Sequence, residues 1–200
     1  VATGSRPAPI SISGAGEYAA TSTELLDMKK IPGSMIIIGG GVIGCEFAHI
    51  LNSFGSKVTV IEAMPRLINN ADSELTAVLE QCMKGSGIKI KKDCSVNEIR
   101  KTNSGKDVII VKNGIEETLQ ADDVMISTGR APNLEGLEKL GLEMNGRFIK
   151  VDDTAKTSIE NVYAIGDVTG IRPLAHVASD MGRVAAENIA GIKSRYDDSK

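Results

Sequence analysis

Residues 34–62, SMIIIGGGVIGCEFAHILNSFGSKVTVIE, constrain this chain more than any other stretch. Met35, Ile36, Ile37 and Ile38 form an apolar run bounded by glycine, which predicts a parallel strand covered on both faces. Gly39, Gly41 and Gly44 follow at G-x-G-x-x-G spacing. In that pattern the first glycine allows a tight turn and the second lets backbone approach a pyrophosphate. The third lets a helix pack close to the strand. A helix is predicted from about Val42 to Phe54, with Phe47, Ile50, Leu51 and Phe54 as the stripe facing the sheet. Its first-turn N–H groups have no partner within the helix and form an anion site. Gly39, Gly40, Gly41, Val42, Ile43 and Gly44 are therefore the candidate phosphate cradle. Gly55 stops the helix, and Val58, Val60 and Ile61 carry a second strand to Glu62.

Glu62 closes the unit. A carboxylate at the C-terminal end of the second strand accepts bonds from the hydroxyls of an adenosine ribose. A 2′-phosphate at the same place meets a like charge, so NAD is selected over NADP. Arg66 is the residue that could serve such a phosphate; the reading favoured here is an exposed arginine opening the next connection. A glycine-rich turn that binds nothing is the plainer alternative. The strand–turn–helix–strand–acid context argues against it.

Two hundred residues suffice for one large domain, or for a domain with part of another. An aromatic content of 3%, without tryptophan, offers no stacking platform, and a net charge of −3 opposes a phosphate-backbone partner. Nucleic acid is excluded on both counts. No apolar run reaches the length of a membrane span and no leader pattern opens the chain, so a soluble, cytoplasmic protein without a membrane partner is expected. Cys45, Cys82 and Cys94 lie too far apart for a CxxC or zinc cluster, and each reads as a small, partly buried apolar residue. Their odd number fits a reducing compartment, and no metal site is expected.

Beyond Glu62 the pattern stays α/β. Residues 72–84 predict an amphipathic helix capped by Asp72, with Leu75, Val78, Leu79 and Cys82 on its inner side and Gly85 and Gly87 ending it. Ile88 and Ile90 mark a short strand. Strand-like segments at 95–102, 106–112 and 115–119 follow, the last two joined by Asn113-Gly114, a strong hairpin signal. They predict an antiparallel meander where a crossover helix would otherwise stand. Val124–Ile126 form another buried strand. After an interruption at 131–147, strands are expected around 148–151 and over 157–167, and a helix over 174–190. The first twenty residues contain no complete element.

Five motifs coincide in order: ATGSRP at 2–7, GGGVIGCEFA at 39–48 with Glu62, STGRAPN at 127–133, TSIENVYAIGDV at 157–168 and PLAH at 173–176. Together they resemble the pyridine-nucleotide disulfide oxidoreductases, most closely the members that oxidise dihydrolipoamide, over essentially the whole chain. The resemblance implies a Rossmann-like α/β NAD-binding domain at 21–140, with a parallel sheet, helices and the inserted meander. Partial FAD-domain segments at 1–20 and 141–200 would flank it. It places Thr3, Gly4 and Ser5 beside FAD, Asp167 on a ribityl hydroxyl, and Pro173, Leu174, Ala175 and His176 near that cofactor. On the NAD side it adds Val96 at the adenine, Gly129 at the nicotinamide end and Glu46 near the nicotinamide. For Glu46, first-turn dipole stabilisation is an equal alternative. Asp167 could instead cap a turn, and Val96 could be a core strand residue.

The family's FAD fingerprint, its closely spaced cysteine pair and its histidine–glutamate acid–base pair are not in this sequence. The chain is therefore expected to be a central segment, inactive alone, of an enzyme that reduces NAD with dihydrolipoamide by way of a disulfide and FAD. The resemblance makes the parent a homodimer within a 2-oxoacid dehydrogenase complex. An NADH-dependent disulfide or metal-ion reductase, an NADH oxidase and a non-catalytic NAD-binding sensor remain as alternatives.

Overall fold

Strand side chains point alternately to opposite faces, and the isoleucine run uses both. Met35 and Ile37 pack with Cys45, Ala48, Leu51, Val58 and Met125. Ile36 and Ile38 pack with Ile99, Val108, Ile110 and Val124. One face of the sheet thus meets helices and the other meets a second sheet.

The computed structural model describes residues 1–197. In chain order it begins with β1 (Ser5–Pro7), α1 (Ala15–Tyr18) and α2 (Ser22–Leu26). β2 (Ser34–Ile38), α3 (Val42–Ser53), β3 (Lys57–Ile61), α4 (Ser73–Gly85) and β4 (Lys89–Lys91) follow. Next are β5 (Ser95–Thr102), β6 (Gly105–Lys112), β7 (Ile115–Ala121) and β8 (Asp123–Ile126). β9 (Arg130–Pro132), β10 (Met144–Asn145), β11 (Phe148–Ile149) and α5 (Ala175–Ile189) complete the set. The chain forms two compact units, Pro7–Gly129 and Val1–Arg6 with the chain from Arg130 onward.

In the Pro7–Gly129 unit, β4, β3, β2 and β8 lie side by side in that order, all parallel. β5, β6 and β7 form the expected antiparallel meander, and Asn113 and Gly114 both take positive φ at its second turn, as a type I′ hairpin requires. Residues 7–20, expected to lie outside this domain, belong to it. Ser13 accepts from Ile99 N–H at 2.9 Å on β5, and Ala20 donates to Val124 O at 2.9 Å and accepts from Ile126 N–H at 2.8 Å on β8. These bonds cover two strand edges that would otherwise be open. The segment also contains α1, contrary to the expectation of no complete element. The compact unit ends at Gly129, short of the expected 140.

Two helices turn a different face inward than their large apolar residues suggested. In α3 the buried residues are Gly44, Cys45, Ala48 and Leu51, while Ile50 and Phe54 are exposed and Phe47 is half-buried. Small residues let the helix approach the sheet closely, and that approach outranks the burial of a larger side chain. In α4 the buried residues are Thr76, Glu80 and Met83. Leu75 is 70% exposed and Val78 58%, Cys82 is exposed, and Leu79 packs partly against the core. A buried acid on this face is possible because Lys92, beyond β4, donates to it at 2.8 Å.

The other unit is built around Ile149, Ala164 and Val168, with Val177, Met181, Val184 and Ala185 as the buried face of α5. β9 pairs with β1, and β10 with β11. Residues 157–167 do not form the expected strand. Thr157 Oγ1 donates to Val162 O and accepts from Ile159 N–H, and Asn161 has φ +62°, so the first half closes into a turn. Only a bridge joins Tyr163 to Lys156. Gly166–Thr169 form a single 3₁₀ turn.

Asp72 caps α4 by accepting from Glu74 N–H at 2.9 Å and Leu75 N–H at 3.2 Å. Asp72→Ala is expected to lower stability by about 1 kcal/mol, read as a lower urea midpoint at unchanged slope.

Candidate functional site

The turn between β2 and α3 is confined on almost every side. Gly39 has φ +107°, and a Cβ there would fall 2.5 Å from the Ser127 carbonyl oxygen. A Cβ on Gly44 would fall 2.0 Å from the Gly39 carbonyl oxygen. Ser127, just past β8, donates its hydroxyl to that same oxygen at 2.9 Å. Gly40 is gripped at both ends of its residue. Its N–H donates to Glu62 Oε2 at 2.6 Å. Its carbonyl accepts from Ile68 N–H at 2.9 Å and from the Cys45 thiol at 3.5 Å.

Gly41 is different. A Cβ on it would meet nothing within 4 Å, although its φ of −72° suits any residue. It is the N-cap of the 12-residue α3, and no side chain caps that helix start. Free N–H groups and the positive end of the helix dipole therefore coincide with open space. Gly41 lines a cleft of about 560 Å³ together with Gly39, Glu62, Val96 and Gly129. The cleft's wall thus brings together the first two glycines of the motif and the acid. The open surface above Gly41 fits a group that needs close backbone approach.

Glu62 does more than the sequence suggested. One carboxylate oxygen holds Gly40 N–H and the other accepts from Met64 N–H at 2.8 Å. Each oxygen can accept a further bond, so the acid can latch the loop and still receive a diol. Val42 is exposed at the helix start and Ile43 is half-buried against the core. Glu46 is exposed on the second turn of α3, not the first, where the dipole effect has fallen off. It is not among the residues lining the cleft. Arg66 is half-buried instead of exposed and donates to Asn69 O at 3.2 Å within its own connection.

Ile10, Ile12, Ile68, Asn69 and Asn70 also line the cleft. They were not legible as site residues, because they come from irregular segments that only tertiary contact brings to the cleft. Cys45 is buried, and burial, reinforced by the charges of Glu62, Glu46 and Glu80, pushes its thiol up to about 11.

In the unit from Arg130 onward, Ser5 donates to Asp167 Oδ2 at 2.6 Å. Arg130 donates to the Ser5 hydroxyl and to the Ser5 carbonyl, each at 2.6 Å, with its Nε 3.9 Å from Asp167 Oδ2. Thr3 donates to Asn133 O at 2.6 Å, and Asn133 N–H donates to Gly4 O at 2.9 Å. Thr3 and Gly4 thereby share Asn133, while Ser5 and Asp167 form a second network with Arg130. Arg130 is its unforeseen member, although it stands inside the STGRAPN motif. Pro173 and Leu174 lead into α5, which begins at Ala175, and this segment is exposed. His176 lines a separate cavity of about 280 Å³ with Asp180 and Arg183. Among the described residues no three potential metal ligands cluster, and no helix is long and apolar enough to cross a membrane.

Residues 1–182 match the family described as pyridine nucleotide-disulphide oxidoreductase. The dihydrolipoyl dehydrogenase of Staphylococcus aureus is 36% identical over 98% of this chain and 43% of its own length. That of Acholeplasma laidlawii is 41% identical over 96% of this chain and 57% of its own. The chain thus spans about half the length of these relatives. Among solved structures, the Cu(II) complex of the HOCl-induced flavoprotein disulfide reductase RclA from Escherichia coli superposes with a TM-score of 0.89. It is 29% identical and covers 100% of this chain and 46% of its own. LpdA from Mycobacterium tuberculosis gives 0.86 at 30% identity, covering 98% and 43%.

The three thiols should differ in reactivity. Cys82 is exposed, whereas Cys45 and Cys94 are buried. Alkylation of the folded protein at pH 8 followed by peptide mass spectrometry is expected to label Cys82 alone among them. The other two should react only in denaturant.

Proposed function

The chain belongs to the pyridine nucleotide-disulphide oxidoreductase family, and from that premise we propose that its glycine turn binds NAD(H) for a flavin-dependent dihydrolipoyl dehydrogenase. The observation that carries this reading is the room for close backbone approach at Gly41, an uncapped helix start beside a carboxylate. The cradle from Gly39 to Gly44 takes the pyrophosphate through backbone N–H groups. Glu62 takes the adenosine ribose with the acceptor capacity its loop bonds leave. Val96 lies along the adenine and Gly129 at the nicotinamide end of the same cleft.

The second cofactor of the reading is FAD. Its fit rests on the Thr3–Asn133 bond and the Ser5–Arg130–Asp167 network; among the described residues, the latter's side-chain contacts to Asp167 fall on Oδ2. Asp167 would accept from a ribityl hydroxyl with Oδ1, and Thr3, Gly4 and Ser5 would lie beside it, with Pro173 to His176 passing near. FAD, when bound, relays two electrons between a dithiol and the nicotinamide. The net reaction is dihydrolipoamide and NAD⁺ to lipoamide, NADH and a proton. This chain contributes binding and orientation, and the hydride chemistry is that of the cofactors. Its three cysteines are free, so residues 1–200 alone are expected to bind dinucleotide without oxidising dithiols. The same reading makes the intact protein a cytoplasmic homodimer serving a 2-oxoacid dehydrogenase complex.

The likeness to RclA, described as a disulfide reductase and seen there with Cu(II), favours a second reading in which NADH is the electron donor to a disulfide or metal ion. Steady-state rates of the intact protein with dihydrolipoamide and NAD⁺, against NADH and Cu(II), separate the two. The dehydrogenase reading predicts the first pair as the faster.

Binding itself is tested with Gly41→Ala. Since that Cβ meets no protein atom, the melting temperature should fall by no more than the small cost of alanine at an N-cap, while NADH affinity falls by about tenfold, on the order of 1.4 kcal/mol. Unchanged affinity would remove the cradle. Wild type should bind NADH in preference to NADPH, and equal binding would remove the role of Glu62.

A further inference from the structure

We propose that Glu80 is a positioning residue for the dinucleotide loop, holding the Leu67–Ile68 turn against Gly40 so that Gly41 stays open to a pyrophosphate. The proposal rests on the NAD(H) reading above.

Glu80 lies on the inward face of α4 and is 8% exposed. A buried carboxylate is tolerated only with partners, and this one accepts three hydrogen bonds from two donors, with a second lysine nearby. Oε1 accepts from Leu67 N–H at 3.3 Å and from Lys92 Nζ at 3.0 Å, Oε2 accepts from Lys92 Nζ at 2.8 Å, and Lys84 stands 3.8 Å away. Burial pushes the carboxyl up, but the bonds from Lys92 and Leu67 N–H, with the charges of Lys92 and Lys84, outweigh it and hold it below the ordinary glutamate range.

From Glu80 the contacts run to the loop in two steps. Leu67 has no exposed surface, and a Cβ on Gly40 would fall 2.3 Å from Leu67 Cδ2; the leucine is the floor under Gly40. The next backbone donor, Ile68 N–H, is bound to Gly40 O. Consecutive N–H groups of one turn are thus shared between Glu80 and the loop. Ile68 holds φ +42°, a conformation β-branched residues seldom adopt. Such strain persists only where the surroundings over-determine it. A second route passes through Lys92. The chain on either side of it brackets Glu62: Glu62 N–H donates to Lys91 O at 2.8 Å, and Cys94 N–H, two residues on, donates to Glu62 O at 3.1 Å. Both routes end on Gly40, one at its carbonyl and one at its N–H.

A residue that merely packs α4 would affect all ligands alike; one that sets the loop affects those carrying a pyrophosphate. ADP-ribose and adenosine are therefore titrated against the intact wild-type protein, Glu80→Ala and Glu80→Gln, with melting temperatures recorded alongside. Wild type should bind ADP-ribose more tightly than adenosine; if it does not, the cradle reading fails and takes this proposal with it. Given that preference, Glu80→Ala should weaken ADP-ribose by about tenfold and adenosine by less than about twofold, the scale of a lost supporting contact. Glu80→Gln, whose amide oxygen still accepts from Leu67 N–H, should stay within about threefold of wild type for ADP-ribose. Parallel weakening of both ligands, no weakening, or a glutamine variant as poor as alanine would overturn the positioning role while leaving the cradle intact. Should the alanine variant not fold, Glu80→Asp keeps the charge for Lys92 but withdraws from Leu67 N–H. The same selective loss is expected there, and its absence overturns the proposal.

Discussion

The contact on which the Pro7–Gly129 unit turns is that of the Gly44 α-carbon against the Gly39 carbonyl. With 2.0 Å between that oxygen and any Cβ at 44, only hydrogen fits, and only then can α3 lie on β2. Cys45 and Ala48 continue the low relief along the helix, and Leu51 seals its far end in the core. The close approach also fixes where the helix begins. Its unpaired N–H groups emerge at Gly41, on the wall of the cleft that Glu62 also lines, so packing and the capacity to hold an anion have one cause.

The loop's shape is set by carboxylates as much as by glycines. Glu62 accepts one N–H on each of its oxygens, from Gly40 and from Met64, before any ribose is considered. Glu80 works one layer deeper and carries Lys92 with it. Charged groups with backbone donors are the stronger kind of hydrogen bond, and both acids direct that strength at backbone N–H groups of the loop and its supporting turn. Cys45, against the same peptide, stays protonated and serves as a weak donor.

Much of this was readable along the chain because the chemistry is local. The isoleucine run, the Gly39–Gly44 spacing, the Asp72 cap and the Asn113-Gly114 turn each depend on neighbours within a few residues, and each has its expected structure. Helix faces were less legible. Counting large apolar residues favours Phe47, Ile50 and Phe54, but the distance of closest approach favours Gly44, Cys45 and Ala48. In α4 the inward Glu80 depends on Lys92, a partner from the connection between β4 and β5. The remaining cleft wall, Ile10, Ile12, Asn69 and Asn70, is assembled from irregular segments by tertiary contact. Residues 157–167 misled for a related reason: Thr157 and Asn161 close a turn inside a stretch whose apolar residues suggest a strand.

The central claim is that the start of α3 is the place where a dinucleotide's phosphates are held. Backbone amide chemical shifts of the isotopically labelled protein, followed to saturation with NAD⁺, test it residue by residue. The account predicts that Gly41, Val42 and Ile43 move most, with Gly40 following. Saturation that leaves those amides in place while others shift would contradict it.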